Sequence, residues 1–188
     1  MAFERETVAA SVATIAARII VESELTDWSL ARRKAVAELR LSVHGAPLPS
    51  DDEIVAEIKT YHALYSGEEW AAQLRAQREF ALAAMSELIR FTPVLVGPVA
   101  EGWAHAGSEI RIELKPENPK EVEYALIELG VEFEPTLAKD GTVLLEVIDG
   151  DWPMRIVVCE RGRPPDARFR IRLSGPQVER LINETTAG

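Results

Sequence analysis

The chain has 188 residues, 47% hydrophobic and 28% charged, the balance of a globular protein long enough to bury a core without covalent staples. A single cysteine, Cys159, excludes an intramolecular disulfide framework and a Cys-rich zinc site. The formal charge of −10 speaks against broad nucleic-acid binding, which makes nucleic acid an unlikely partner, and leaves room for a local basic patch.

The amino terminus, MAFERETVAA, lacks the basic-then-apolar order of a secretory signal, and no apolar run approaches the ~20 residues of a membrane span. A cytoplasmic protein that leaves membranes alone is therefore expected. Residues 1–92 read as a helical region. Val8, Val12, Ile15, Ile19 and Val21 recur at helical spacing in a first helix, Glu4 to Glu22. Thr26 or Asp27 suits the N-cap of a second, Trp28 to Leu41, whose outer side carries Arg32, Arg33, Lys34 and Arg40. His44 to Ser50 is a loop by its Gly and two Pro. Ser50 followed by Glu53 has the spacing of a capping box for a third helix ending near Ser66. Gly67 interrupts, and a long fourth helix runs from Glu68 to Phe91 until Thr92-Pro93 stops it.

Residues 93–188 change grammar and read as an α/β region packed with the first into one compact body. Val94 to Ala100 is a short apolar strand. Glu109 to Lys115 alternates strictly, Ile110, Ile112 and Leu114 facing one way and Glu109, Arg111 and Glu113 the other. A helix from about Pro119 closes at Gly130. Val131–Leu137, Thr142–Ile148 and Met154–Glu160 read as strands, the last two paired. RGRPPD is a loop, Ala167 to Leu173 alternates as a further strand, and Ser174 caps a closing helix. The expected class is α+β: about four helices on a small mixed sheet with two further helices.

Charge is divided along this second region. Acids dominate Glu101 to Asp151, and arginines dominate Arg155 to Arg172. The two stretches either neutralise one another across the sheet or hold a phosphate against arginine beside a metal-binding acidic strand. No P-loop, dinucleotide fingerprint, H-E-x-x-H or G-x-S-x-G motif is present. The three histidines have no motif spacing, and His62 reads as a packing or surface residue. Cys159, ending the apolar run MRIVVC, reads as a buried, inert thiol.

The informative stretch is Leu95 to Leu114, a strand, a Gly-containing turn, then a strand opening on Ser108-Glu109. Carboxylates at i and i+2 of a strand share a face and can share divalent metals that bind nucleotide phosphates. A small-residue turn lets backbone amides approach those phosphates. Here the chain resembles the nucleotidyltransferase superfamily, the fold of minimal nucleotidyltransferases and polymerase-β-like enzymes, with their Gly-Ser, short gap and Ser-Asp-x-Asp. The resemblance covers roughly Leu95 to Val158. Trp103 stands where that family has its phosphate-contacting serine. Glu109 takes the place of the first aspartate and Arg111 that of the second. Glu113 lies one strand step further, about 6–7 Å on. Glu146 is the candidate third acid.

The resemblance implies Mg²⁺ held by Glu109, Glu113 and Glu146, with Glu109 and Glu113 catalytic. Gly102 and Ser108 would shape the phosphate turn, and Arg111 and Arg155 would contact a nucleoside triphosphate. With Arg111 at the second acid position, the chain reads as a degenerate nucleotidyltransferase-like protein that binds a nucleotide or acts as a regulatory module. The alternatives are an active Mg²⁺-dependent nucleotidyltransferase and a helix-mediated homodimer or protein-binding module without nucleotide. For the homodimer, the alanine-rich first helix and the fourth helix, with Leu74, Phe80, Leu82, Met85, Leu88 and Ile89 on its broad apolar side, would form the seam. The chain is also similar to small bacterial proteins with a Gly-Thr/Trp-Ala-x-x-x-Ser-Asp/Glu-Ile core, some labelled UDP-N-acetylmuramate–alanine ligase. That activity is excluded, because such a ligase is a three-domain ATP-dependent enzyme more than twice this length, with a Gly-Lys-Thr/Ser loop that is missing here.

Overall fold

A computed structural model describes residues 2–25, 27–41, 47–148, 150–159 and 169–184. Thr26, the first part of the His44–Ser50 loop, the RGRPPD loop and the start of the Ala167–Leu173 stretch lie outside the described residues. The class is α+β, as expected. The chain divides into two compact units, one of residues 1–70 with 105–107, the other of 71–104 with 108–188.

The first unit holds α1 (Ala2–Glu22), α2 (Trp28–Glu38), α3 (Asp51–Tyr65) and the start of α4 (Gly67–Glu87). α1 packs against both α2 and α3. Its buried stripe is Val12, Ala13, Ala16, Ala17 and Ile20, so alanines rather than Ile15 and Ile19 make the seam. Their small side chains let the helix backbones approach, and Ala31, Ala35, Ile54 and Ile58 answer from α2 and α3. Asp27 caps α2 by accepting from the Leu30 amide at 3.0 Å. The Ser50–Glu53 capping box is complete at the head of α3, so a cap and three acids favour the positive end of that helix. Arg32, expected on the solvent side of α2, donates to the Pro49 carbonyl at 2.9 Å and pairs with Asp51. His62 is 3% exposed and stacks on Trp70 with centroids 4.6 Å apart.

The second unit is built on a five-stranded sheet: β1 (Val94–Val96), β2 (Ile110–Leu114), β3 (Phe133–Leu137), β4 (Val143–Val147) and β5 (Met154–Val158). The strand order is β1-β2-β5-β4-β3, parallel between β2 and β5 and antiparallel elsewhere. In register, Leu95, Ile112, Ile156 and Leu145 form an apolar row across four strands, each at most 1% exposed. Leu74, Ala81 and Met85 of α4, Val122 and Leu126 of α6 (Lys120–Glu128), and Val178 and Ile182 of α7 (Gly175–Glu184) are also buried. Part of the apolar side expected as a homodimer seam is thus already covered within the chain. The fourth helix ends at Glu87, and a single 3₁₀ turn, Ile89–Phe91, completes the stretch.

Two expected strands are corrected. Val94–Ala100 keeps only three strand residues, because Gly97 takes φ +76° and Pro98 opens the short helix α5 (Pro98–Glu101). Of Ala167–Leu173, the described residues contribute only a bridge, in which Leu173 and Leu95 exchange both backbone hydrogen bonds at 2.9 Å. Within that stretch, Phe169 lies over the Arg111 guanidinium and Arg172 pairs with Glu113. At the opposite edge β3 carries Pro135. Glu132 and Ala138 are hydrogen-bonded to β4 and its flanks, so alternation makes Pro135 a non-hydrogen-bonded partner of Leu145. Its nitrogen therefore faces the open edge, where a proline is tolerated.

Candidate functional site

The alternation of β2 divides its side chains between core and a polar face. Ile110, Ile112 and Leu114 are fully buried, while Glu109, Arg111 and Glu113 share the other side. Register then brings Arg155 of β5 beside Arg111, and Glu146 of β4 beside Arg155. The result is a charge ladder across three strands. Arg111 donates to Glu109 Oε2 through Nε at 3.2 Å and Nη2 at 2.7 Å. Arg155 Nη2 reaches Glu109 Oε1 at 3.0 Å and Glu146 Oε1 at 2.9 Å. Glu109 is thus held between two guanidinium groups. Arg155 Nε is buried and has no acceptor among the described residues. Further along β2, Glu113 is 3% exposed and pairs with Arg172. The Phe169 ring lies 5.0 Å from the Arg111 guanidinium and packs on Gly97, so the segment entering α7 covers one end of this face.

The turn after β1 is shaped by two left-handed glycines, Gly97 and Gly102 (φ +74°), on either side of α5. The Gly102 and Trp103 amides both donate to the Pro98 carbonyl, at 2.9 and 3.1 Å. Glu101 is engaged twice, accepting from the Trp103 indole at 2.8 Å and from the Arg170 amide at 3.2 Å. From α4, Arg78 reaches this turn. It is 9% exposed, and its Nε donates to the Val99 carbonyl at 3.2 Å. Burial pulls its pKa below the ordinary arginine value, although arginine keeps its proton at any working pH.

The structure therefore brings Glu109, Arg111, Arg155 and Glu146 together and sets Glu113 on the same face with a partner of its own. Gly102 sits on the half-exposed turn, whereas Ser108 is buried at 3% exposure. Among the described residues, no three carboxylate, imidazole or thiol groups come close enough to hold a metal ion. The donor set does not fit Mg²⁺, because each candidate carboxylate already faces an arginine. Arg161, Arg163 and Arg168 of the basic stretch lie outside the described residues. Two contributors escape a reading of the sequence. Arg78 sits in AAQLRAQREF, where helical spacing alone suggests a solvated arginine. Arg172 meets Glu113 across a sequence separation of 59, which no local pattern announces. Cys159, expected to be buried, is half-buried.

No family model matches the chain, and no curated protein matches it. Among solved structures, the chain is similar to one described as "Structural Basis for the Activity of a Cytoplasmic RNA Terminal U-transferase", at 15% identity over 74% of this chain, with a TM-score of 0.29. The chain spans 35% of the length of that protein. A likeness so distant says nothing about activity, so function must come from this chain's own residues. No described helix is long and apolar enough to cross a membrane.

Proposed function

We propose that the protein is a degenerate nucleotidyltransferase-like module that binds a nucleotide and serves regulation rather than nucleotidyl transfer. The observation that carries this reading is the clamping of Glu109 between Arg111 and Arg155. Metal-dependent transfer requires carboxylates free to share divalent cations. A guanidinium at the second acid position supplies fixed positive charge instead, and no accessible pH removes it. A nucleotide polyphosphate approaching this face would compete with Glu109 and Glu146 for the two arginines, exchanging one charge-assisted pairing for another. Gly102 contributes a half-exposed turn whose own amide is engaged by the Pro98 carbonyl. Ser108 is buried rather than presented to solvent.

Calorimetric titration of each nucleoside triphosphate, first with Mg²⁺ and then with EDTA, tests the proposal. Binding is expected to survive EDTA, to release no pyrophosphate, and to weaken roughly tenfold in Arg155→Gln. Binding that vanishes with EDTA, accompanied by pyrophosphate release, would replace the proposal with an active metal-dependent enzyme. Absence of any nucleotide binding would end the nucleotide reading.

A further inference from the structure

Arg111, Arg155 and Arg172 on the sheet face each meet a carboxylate. Arg78 meets none among the described residues. Its hydrogen bond to the Val99 carbonyl uses one of five N–H donors. The acid of the same turn, Glu101, is directed to Trp103 and the Arg170 amide. A buried charge without a counter-charge is among the most unfavourable arrangements in a folded protein. A lysine could relieve it by losing a proton, but an arginine cannot. The Val99 carbonyl, in the first half of α5, compensates only in part. Among the described residues, no carboxylate of this corner is directed to Arg78.

The surroundings say what would fit. A Cβ built on Gly102 would lie 3.3 Å from Arg78 Nη2, so the guanidinium rests against a turn bare of side chain. Gly102 and Trp103 are half-exposed, so this turn is reached from solvent although the arginine stem is buried. A planar guanidinium whose Nη groups make no hydrogen bond among the described residues matches two oxygens of a tetrahedral oxyanion.

We propose that Arg78 is an anion-binding residue, its guanidinium oriented by the Val99 carbonyl at the Gly102 turn to take the phosphate oxygens of a small-molecule ligand. This deepens the nucleotide reading by adding a phosphate-receiving group at the Gly102 turn to Arg111 and Arg155 of the sheet face, and rests on that reading only for the remainder of the ligand.

The probe is pyrophosphate, set against chloride at matched ionic strength, with inorganic phosphate and nucleoside triphosphates alongside. In the wild-type protein, pyrophosphate is expected to shift the Arg78 Nε–Hε resonance, assigned by through-bond correlation to the Arg78 backbone, and to raise the melting temperature. Arg78→Lys keeps the charge but loses the fork, and its affinity should fall roughly tenfold. Arg78→Met should abolish the response while being at least as stable as wild type without ligand, because it removes an uncompensated buried charge and keeps the stem volume. A purely bracing arginine gives the opposite: a destabilised Arg78→Met and a wild-type resonance that pyrophosphate leaves in place. The unmoved resonance overturns the proposal, and it decides even if the variants fail to fold. Triphosphate binding undiminished in Arg78→Met would sink this inference and leave the nucleotide reading standing. Pyrophosphate bound through Arg78, with a bare phosphate preferred over every nucleotide, would do the reverse.

Discussion

The two units bury polar groups in opposite ways. In the helical unit His62 lies almost fully buried, with neither ring nitrogen hydrogen-bonded among the described residues. It is accommodated by being neutral: burial, with a smaller contribution from the charge of His105, lowers its pKa to about 4. In the sheet unit Glu113 is just as buried and is met by the Arg172 guanidinium. An imidazole can shed its charge near neutrality, whereas a guanidinium cannot, so its partner must supply the balance. The first region should therefore respond to acid and the second to substitution.

The largest expected effect is the acid response. Above pH 6.5 His62 is neutral in both folded and unfolded chains and contributes its full share of stability. As pH falls below the ordinary value of 6.5 the unfolded chain takes the proton first, and the folded chain resists until about pH 4. Stability is lost across that window, by about 3 kcal/mol, and the loss levels off below it. His105, whose pKa burial also lowers, adds in the same direction. Urea unfolding at several pH values measures this, and His62→Leu should flatten most of the slope. A slope unchanged in that variant would show that the acid response lies elsewhere.

Substitution of Glu113 by Gln comes next. It keeps the shape but removes the carboxylate charge that Glu113 sets against Arg172. Because the Arg172 side chain is 25% exposed, water recovers part of the loss, and about 2 kcal/mol is expected rather than the full penalty of a deeply buried pair. The effect should appear as faster amide exchange in β1 and β2, with the helical unit unchanged. Smallest is Ser50→Ala in the helical unit, which removes the acceptor for the Glu53 amide. A loss of about 1 kcal/mol, seen as faster exchange in the first turn of α3, is expected. Equal effects of these two substitutions on both units would erase the contrast between them.

Much of this architecture is legible in the sequence because its signals are local. The alternation of EIRIELK marks β2 and both of its faces. Ser50 with Glu53 marks a helix start, and the Ser174 amide and hydroxyl both meet Gln177 at the head of α7. The break after Val96 is masked, because the run through Ala100 is apolar and β-branched at its start, and only the Gly97-Pro98 pair interrupts it. The site is legible as a set of acids on one strand face, since parity alone dictates that. Their state is not. Whether Glu109 is open to a cation or closed by arginine depends on the neighbouring strand's register, and the burial of Glu113 depends on a distant segment. Arg78 shows the same limit from a helix, where spacing says which residues share a side and only tertiary packing says which side is covered.

The two margins of the sheet have a consequence for life in a crowded solution. An open strand edge invites a second chain to add itself, and a long flat one seeds fibres. In this sheet one margin is occupied by the Leu95–Leu173 bridge, and along the other Pro135 places a ring where an incoming strand would look for an amide hydrogen. Both devices work against recruiting another copy by backbone pairing. Growth of the sheet from copy to copy is thus opposed at both margins, and its chemistry is turned instead toward the face that carries Glu109, Arg111 and Arg155.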